Sequence, residues 1–82
     1  MGKVSVRFFA GYAELAGCTS SAVNLETPAT VADVITRVRE VFPGTRALPA
    51  RPLAALNQRH VQLDAPVNEG DEVALLPPFA GG

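Results

Sequence analysis

The sequence predicts a two-layer α+β domain, with one amphipathic helix laid on one face of a mixed sheet. Three observations predict it. Residues 3–10 alternate apolar and polar side chains, the period of a half-buried strand. Residues 30–42 repeat their apolar positions with helical spacing behind a capping pattern. Residues 72–76 alternate again and run directly into a proline pair. A helix with one apolar stripe and a sheet with one apolar face bury each other.

In the first strand, Lys3 to Ala10, Val4, Val6 and Phe8 share one face, and Lys3, Ser5, Arg7 and Phe9 the other. Phe9 is thus an aromatic on the polar face, packed under a loop or part of a partner surface. Gly11 to Ala16 reads as a short helical turn, and Ala22 to Leu25 as a second strand closed by Glu26-Thr27-Pro28. Thr30 stands at a helix N-cap with Asp33 three residues later. Val31, Val34, Ile35, Val38 and Phe42 form the apolar stripe, and Pro43-Gly44 stops the helix. Thr36, Arg37, Arg39 and Glu40 point away from it.

Residues 45–52 read as an irregular link, 53–57 as a third strand, and 61–63 as a short apolar stretch before the turn Asp64-Ala65-Pro66. Asn68-Glu69-Gly70-Asp71 is a second turn, in which Gly70 is free to take a positive φ. In the last strand, Glu72 to Leu76, Val73 and Leu75 alternate with Glu72, Ala74 and Leu76. A helical crossing between the first and last strands suggests that they lie centrally and parallel, the arrangement of a β-grasp. Element order alone also permits other helix-on-sheet folds.

The 82 residues make one domain, with a folded body over 1–76 and an extended tail over 77–82. A chain of this size buries roughly 60–65% of its unfolded surface. It has little room for a deep pocket, so a carrier or binding module fits better than a self-contained enzyme. Hydrophobic residues at 48% and charged residues at 18% mark a globular composition. With a net charge of −1 and no basic block, nucleic-acid binding is not expected. Apolar runs are too short for a bilayer span, and no leader pattern is read at the N-terminus. Cys18 is the one cysteine, in a small polar stretch that reads as a turn. Glu69, Asp71 and Glu72 read as a solvated turn, so no metal site is expected. Arg37, Arg39 and Arg51 read as surface charges.

The chain ends Pro77-Pro78-Phe79-Ala80-Gly81-Gly82. Two prolines favour an extended segment that leaves the body. Two glycines without side chains let the backbone enter a narrow slot. Glycine averages about 7% of residues, so a terminal pair arises by chance in roughly 0.5% of chains. The Gly82 carboxylate is then the reactive group at the tip. A carboxylate must be activated before it reacts, typically as an acyl-adenylate, after which a sulfur nucleophile yields a thiocarboxylate.

The stretch Leu56-Asn57-Gln58, then Val61, then 68–82 from Asn68-Glu69-Gly70-Asp71 to the final Gly81-Gly82, resembles the MoaD/ThiS-type sulfur carriers, the family of the small subunit of molybdopterin synthase. Val6-Arg7-Phe8-Phe9-Ala10 and Glu14-Leu15 are similar as well. The resemblance implies a β-grasp, as in ubiquitin. It implies that an E1-like adenylyltransferase adenylates Gly82, the ATP being used by that partner while this chain holds no stable cofactor. A sulfurtransferase would supply the sulfur. The tail would enter the large subunit of molybdopterin synthase and donate sulfur to cyclic pyranopterin monophosphate, in a cytoplasmic heterotetramer whose acid-base residues belong to the large subunit. This chain would not be catalytic alone. The family's partner patch maps onto Phe9 and Leu76 and onto His60, a departure, because relatives often carry an apolar residue there. Two other readings stay open: a sulfur carrier for another pathway, such as thiamine thiazole, or an interaction module without terminal chemistry.

Overall fold

Val4, Val6 and Phe8 point inward from the first strand, each almost wholly buried, while Lys3, Ser5 and Arg7 are exposed. The computed structural model describes residues 1–78 and has the order β1 (Gly2–Phe8), α1 (Gly11–Ala16), β2 (Ser20–Leu25), β3 (Ala29–Thr30), α2 (Val31–Val41), a 3₁₀ helix (Pro43–Ala47), β4 (Leu53–Leu56), β5 (Arg59–Val61), β6 (Pro66–Val67) and β7 (Glu72–Leu76). Five strands form one sheet in the order β2-β1-β7-β4-β5, and β3 and β6 form a two-stranded ribbon. β1 and β7 are parallel, with Val6 opposite Val73 and Phe8 opposite Leu75, and the other pairs are antiparallel. First and last strands side by side and parallel, with a helix across one face, make this a β-grasp.

The core lies between that face and α2. Val31, Val34, Ile35 and Val38 are buried on the helix, and Val4, Val6, Val73 and Leu75 on the sheet. Each such side chain contributes about 1.5–3 kcal/mol of transfer free energy. The predicted capping box is complete: Asp33 N donates to Thr30 Oγ1 at 3.1 Å, and Thr30 N donates to Asp33 Oδ2 at 3.0 Å. Val31 N and Ala32 N donate to the Ala65 and Leu63 carbonyls. The first-turn donors of α2, which a helix cannot satisfy internally, therefore all have partners.

Several local expectations are corrected. Helix α2 ends at Val41, one residue before Phe42, which is extended at the C-cap (φ −118°, ψ 91°). Phe42 still reaches the core, edge-on to Phe8 with ring centroids 5.7 Å apart, because Pro43 forces extended backbone on the residue before it. The link after α2 is not merely irregular. It holds the 3₁₀ helix, with Thr45 fully buried and its hydroxyl donating to the Phe42 and Val38 carbonyls. Arg39 is not a simple surface charge: its guanidinium donates to the carbonyls of Thr45, Leu48 and Pro49 and pins that link to the helix. The third strand stops at Leu56, because Asn57 and Gln58 both take positive φ (50° and 71°) to turn the β4–β5 hairpin. The next strand is Arg59–Val61, earlier than the apolar stretch suggested, and Pro66 belongs to β6 rather than only to a turn.

Gly44 is required where it stands. A methyl there would overlap the Leu15 carbonyl oxygen, which belongs to backbone and cannot swing aside. Gly44→Ala is expected to lower stability by about 1–3 kcal/mol, read as a reduced urea midpoint at unchanged m-value.

Asp71 locks the two turns together. It accepts from Asn68 N at 2.8 Å and from Asn57 Nδ2 at 3.1 Å, while Asn57 Oδ1 accepts from Glu72 N at 2.9 Å. The Asn68 N–H first, and the Asn57 amide second, hold the Asp71 carboxyl below its ordinary value. A depressed carboxyl stabilises the fold above the unfolded value of about 3.9, and that contribution fades as pH falls below it toward the folded value. Asp71→Asn is therefore expected to flatten the acid limb of a stability-versus-pH curve and to lower the neutral plateau. An unchanged acid limb would assign the limb to other carboxylates.

Candidate functional site

Alternation along β1 and β7 leaves one sheet face free of the helix. Leu76 follows the buried Leu75 and so turns outward, and it lies opposite Leu53 on β4. Phe9 follows the buried Phe8 and turns outward beside it, 37% exposed. Ala55 and Ala74 face each other across β4 and β7 and are small enough to leave the outer face shallow. His60 pairs with Ala55 from the edge strand β5 and is exposed. Phe9, Ala10, Leu53, His60 and Leu76 thus line one groove of about 420 Å³, closed at one end by Pro77 and Pro78.

The structure brings Phe9, His60 and Leu76 together with the first two tail residues. The other tail residues singled out from the sequence, Phe79, Ala80, Gly81 and Gly82, lie outside the described residues. Sequence reasoning missed two members of the groove. Leu53, 45% exposed, was placed on a strand but not on the outer face. The signal was available in its spacing of two from Ala55 and its place before an inward Ala54. The alternation of residues 3–10 places Ala10 at the end of a strand. Ala10 instead holds φ 52°, ψ −132°, a region that glycine prefers. That turn ends β1 and aims the chain into α1, with Tyr12 N donating to the Phe9 carbonyl and Ala13 N to the Ala10 carbonyl. It leaves the Phe9 ring on the outer face, where the Arg7 guanidinium stacks 5.1 Å from the ring centroid.

Other candidates hold nothing comparable. Cys18 is half-buried against the core in the turn after α1. Among the described residues no three His, Cys, Asp or Glu side chains converge as metal ligands, and no helix is long and apolar enough to cross a membrane.

The model of the ThiS family matches residues 6–82. The chain belongs to the ThiS family. The resemblance to MoaD/ThiS-type carriers carried by the Gly-Asp-Glu-Val strand and the Gly-Gly ending is thereby established. The molybdopterin synthase sulfur carrier subunit of Escherichia coli (strain K12) is 36% identical over 80 residues, covering 96% of this chain and 99% of the relative. The protein of the same name from Chlamydomonas reinhardtii is 30% identical over 82 residues, covering 98% and 99%. Among solved structures, SAMP1 of Haloferax volcanii, a small archaeal modifier protein, superposes with a TM-score of 0.86 at 28% identity, covering 99% of this chain and all of that one. The β-grasp of this chain is shared with that structure.

Ala10 yields a direct test. A non-glycine residue in that backbone region carries about 1–3 kcal/mol of strain. Ala10→Gly is expected to raise Tm by several degrees after allowance for the greater freedom of the unfolded chain. A lowered Tm would mean that the methyl contributes more by packing than its backbone loses by strain.

Proposed function

We propose that this chain is the sulfur carrier subunit of molybdopterin synthase, acting through the carboxyl end of Gly82. The observation that carries the reading is the junction of groove and tail. Strand β7 runs straight into Pro77-Pro78, and those prolines wall the apolar groove made by Phe9, Leu53 and Leu76. A partner seated there would receive the tail at its own surface. The sequence relatives named as sulfur carrier subunits support the same reading.

In this reading the Gly82 carboxylate attacks the α-phosphorus of ATP on an E1-like adenylyltransferase, and pyrophosphate leaves. A sulfur nucleophile delivered by a sulfurtransferase then attacks the acyl carbon, and AMP leaves. Where that sulfur arrives as a persulfide, a second thiol attacks the donor sulfur of the acyl disulfide, a disulfide forms on the donor side, and the thiocarboxylate leaves. The loaded tail enters the large subunit, where its sulfur passes to cyclic pyranopterin monophosphate, within a cytoplasmic heterotetramer. ATP belongs to the activating partner, and this chain supplies reach, slimness and a docking face. The likeness to SAMP1 favours a second reading, in which the same adenylated end is passed to an amine and the chain becomes a protein modifier.

Intact mass after incubation with ATP, an activating enzyme and a sulfur source separates these. The expected result is one oxygen-to-sulfur replacement mapped to the C-terminal peptide. Adenylation followed only by amide-linked conjugates would favour the modifier reading. Gly82→Ala is expected to leave the fold intact and impair transfer, because a methyl obstructs the slot, and one residue added after Gly82 is expected to abolish it. Phe9→Asp is expected to weaken binding to the large subunit without lowering Tm, since the ring stands outside the core. Affinity unchanged in a titration would remove Phe9 from the interface.

A further inference from the structure

We infer that the groove on the outer sheet face is built for an acidic partner segment, with Arg7 and Arg51 as its charge-reading residues. This rests on the docking reading above and specifies the chemistry of the surface that docks. The chain carries a net charge of −1, yet Arg7 and Arg51 flank the groove, while Glu72, on the same outward face of β7, and Asp64, which shares a neighbouring hollow with Arg51, lie outside its lining. Arg7 stands at the Phe9 end, exposed and stacked on the ring. At the Leu53–His60 end the groove adjoins a second hollow, which shares those two residues and is bounded by Arg51. Neither hollow is lined by an Asp or Glu among the described residues. The one ion pair among those residues, Arg37 with Glu40, lies on α2. No carboxylate of the described residues is paired with Arg7 or Arg51.

The form of the Arg7 contact matters. The Arg7 guanidinium lies over the Phe9 ring, and no side-chain hydrogen bond among the described residues engages its N–H groups. A planar fork held in place loses less freedom on meeting a carboxylate than a mobile lysine does. Between the two arginines the groove lining is apolar except for His60. The fitting occupant is the segment of the tail-accepting subunit that presents apolar side chains between carboxylates. Rim charges of this kind act mainly on association rate, through steering that salt screens, while the buried apolar contact governs dissociation.

The test is stopped-flow association of the full chain with the large subunit of molybdopterin synthase, at about 50 and 500 mM salt. Wild type is expected to associate at least about fivefold more slowly at high salt. Arg7→Gln and Arg51→Gln should each slow low-salt association and reduce the salt dependence. Arg46→Gln, on the 3₁₀ helix outside the groove, changes net charge equally and should leave the rate unaltered. Circular dichroism melts would confirm that each variant is folded. Faster association of the groove variants, a salt-independent rate, or an equal effect from Arg46→Gln would overturn the acidic-partner assignment while leaving docking intact. No complex with wild type at any salt would overturn the docking reading itself.

Discussion

The parallel pairing of β1 with β7 is the constraint on which the rest of this molecule depends. Val6 lies opposite Val73 and Phe8 opposite Leu75, so the two strands end side by side and point the same way. Phe9 and Leu76 are the next residues outward on each, and the tail leaves from the same edge. Had β7 run the other way, its exit would lie about a strand length, roughly 16 Å, from Phe9. A parallel pair cannot be joined by a hairpin and needs a long crossover. Helix α2 lies within that crossover, and its apolar stripe covers the face of the pair it connects. One topological choice therefore creates the core and also sets Pro77 and Pro78, the root of the tail, beside an uncovered groove.

The two sheet faces divide the work by single-residue alternation. Inward positions on the central strands carry Val, Phe and Leu against α2, while outward positions carry the paired alanines Ala55 and Ala74 flanked by Leu53 and Leu76. The strained turn at Ala10 extends the same logic. It ends β1 immediately after Phe9, leaving that ring on the outer face, where it forms the groove's wall and a platform for Arg7.

What could be read from the sequence was whatever had a period or a cap. The α2 stripe, its Thr30–Asp33 box and the alternation of β1 and β7 were all legible, and with them the β-grasp. The failures share a cause. Ala29–Thr30 and Pro66–Val67 are two-residue strands, too short to show alternation, and beside them the Ala65 and Leu63 carbonyls accept from Val31 N and Ala32 N. The Asn57-Gln58 turn lacks the glycine that usually marks its type, and Asn57 is held there by hydrogen bonds to Asp71 and Glu72 from across the chain. Arg39 looked like a solvent charge because its three carbonyl partners form a loop whose path no pattern encodes. Of the site, Phe9 and Leu76 stood out as apolar residues on outward faces. Leu53 did not, because its membership depends on the cross-strand register with Leu76.

A domain of this size cannot enclose a reaction, and the proposed mechanism does not ask it to. What it must do is present one chain end to an activating enzyme, release it, and present it again to an acceptor. The groove and the tail root share residues Leu76, Pro77 and Pro78, so a partner covering one covers the other. On that reading activation and delivery are mutually exclusive by geometry, and the carrier cannot bridge both enzymes at once. Exclusive use of one face also bounds its affinity. A surface that held the first partner too tightly would never reach the second. A shallow apolar floor with charges at its rim meets that demand, because steering speeds encounter without requiring slow release.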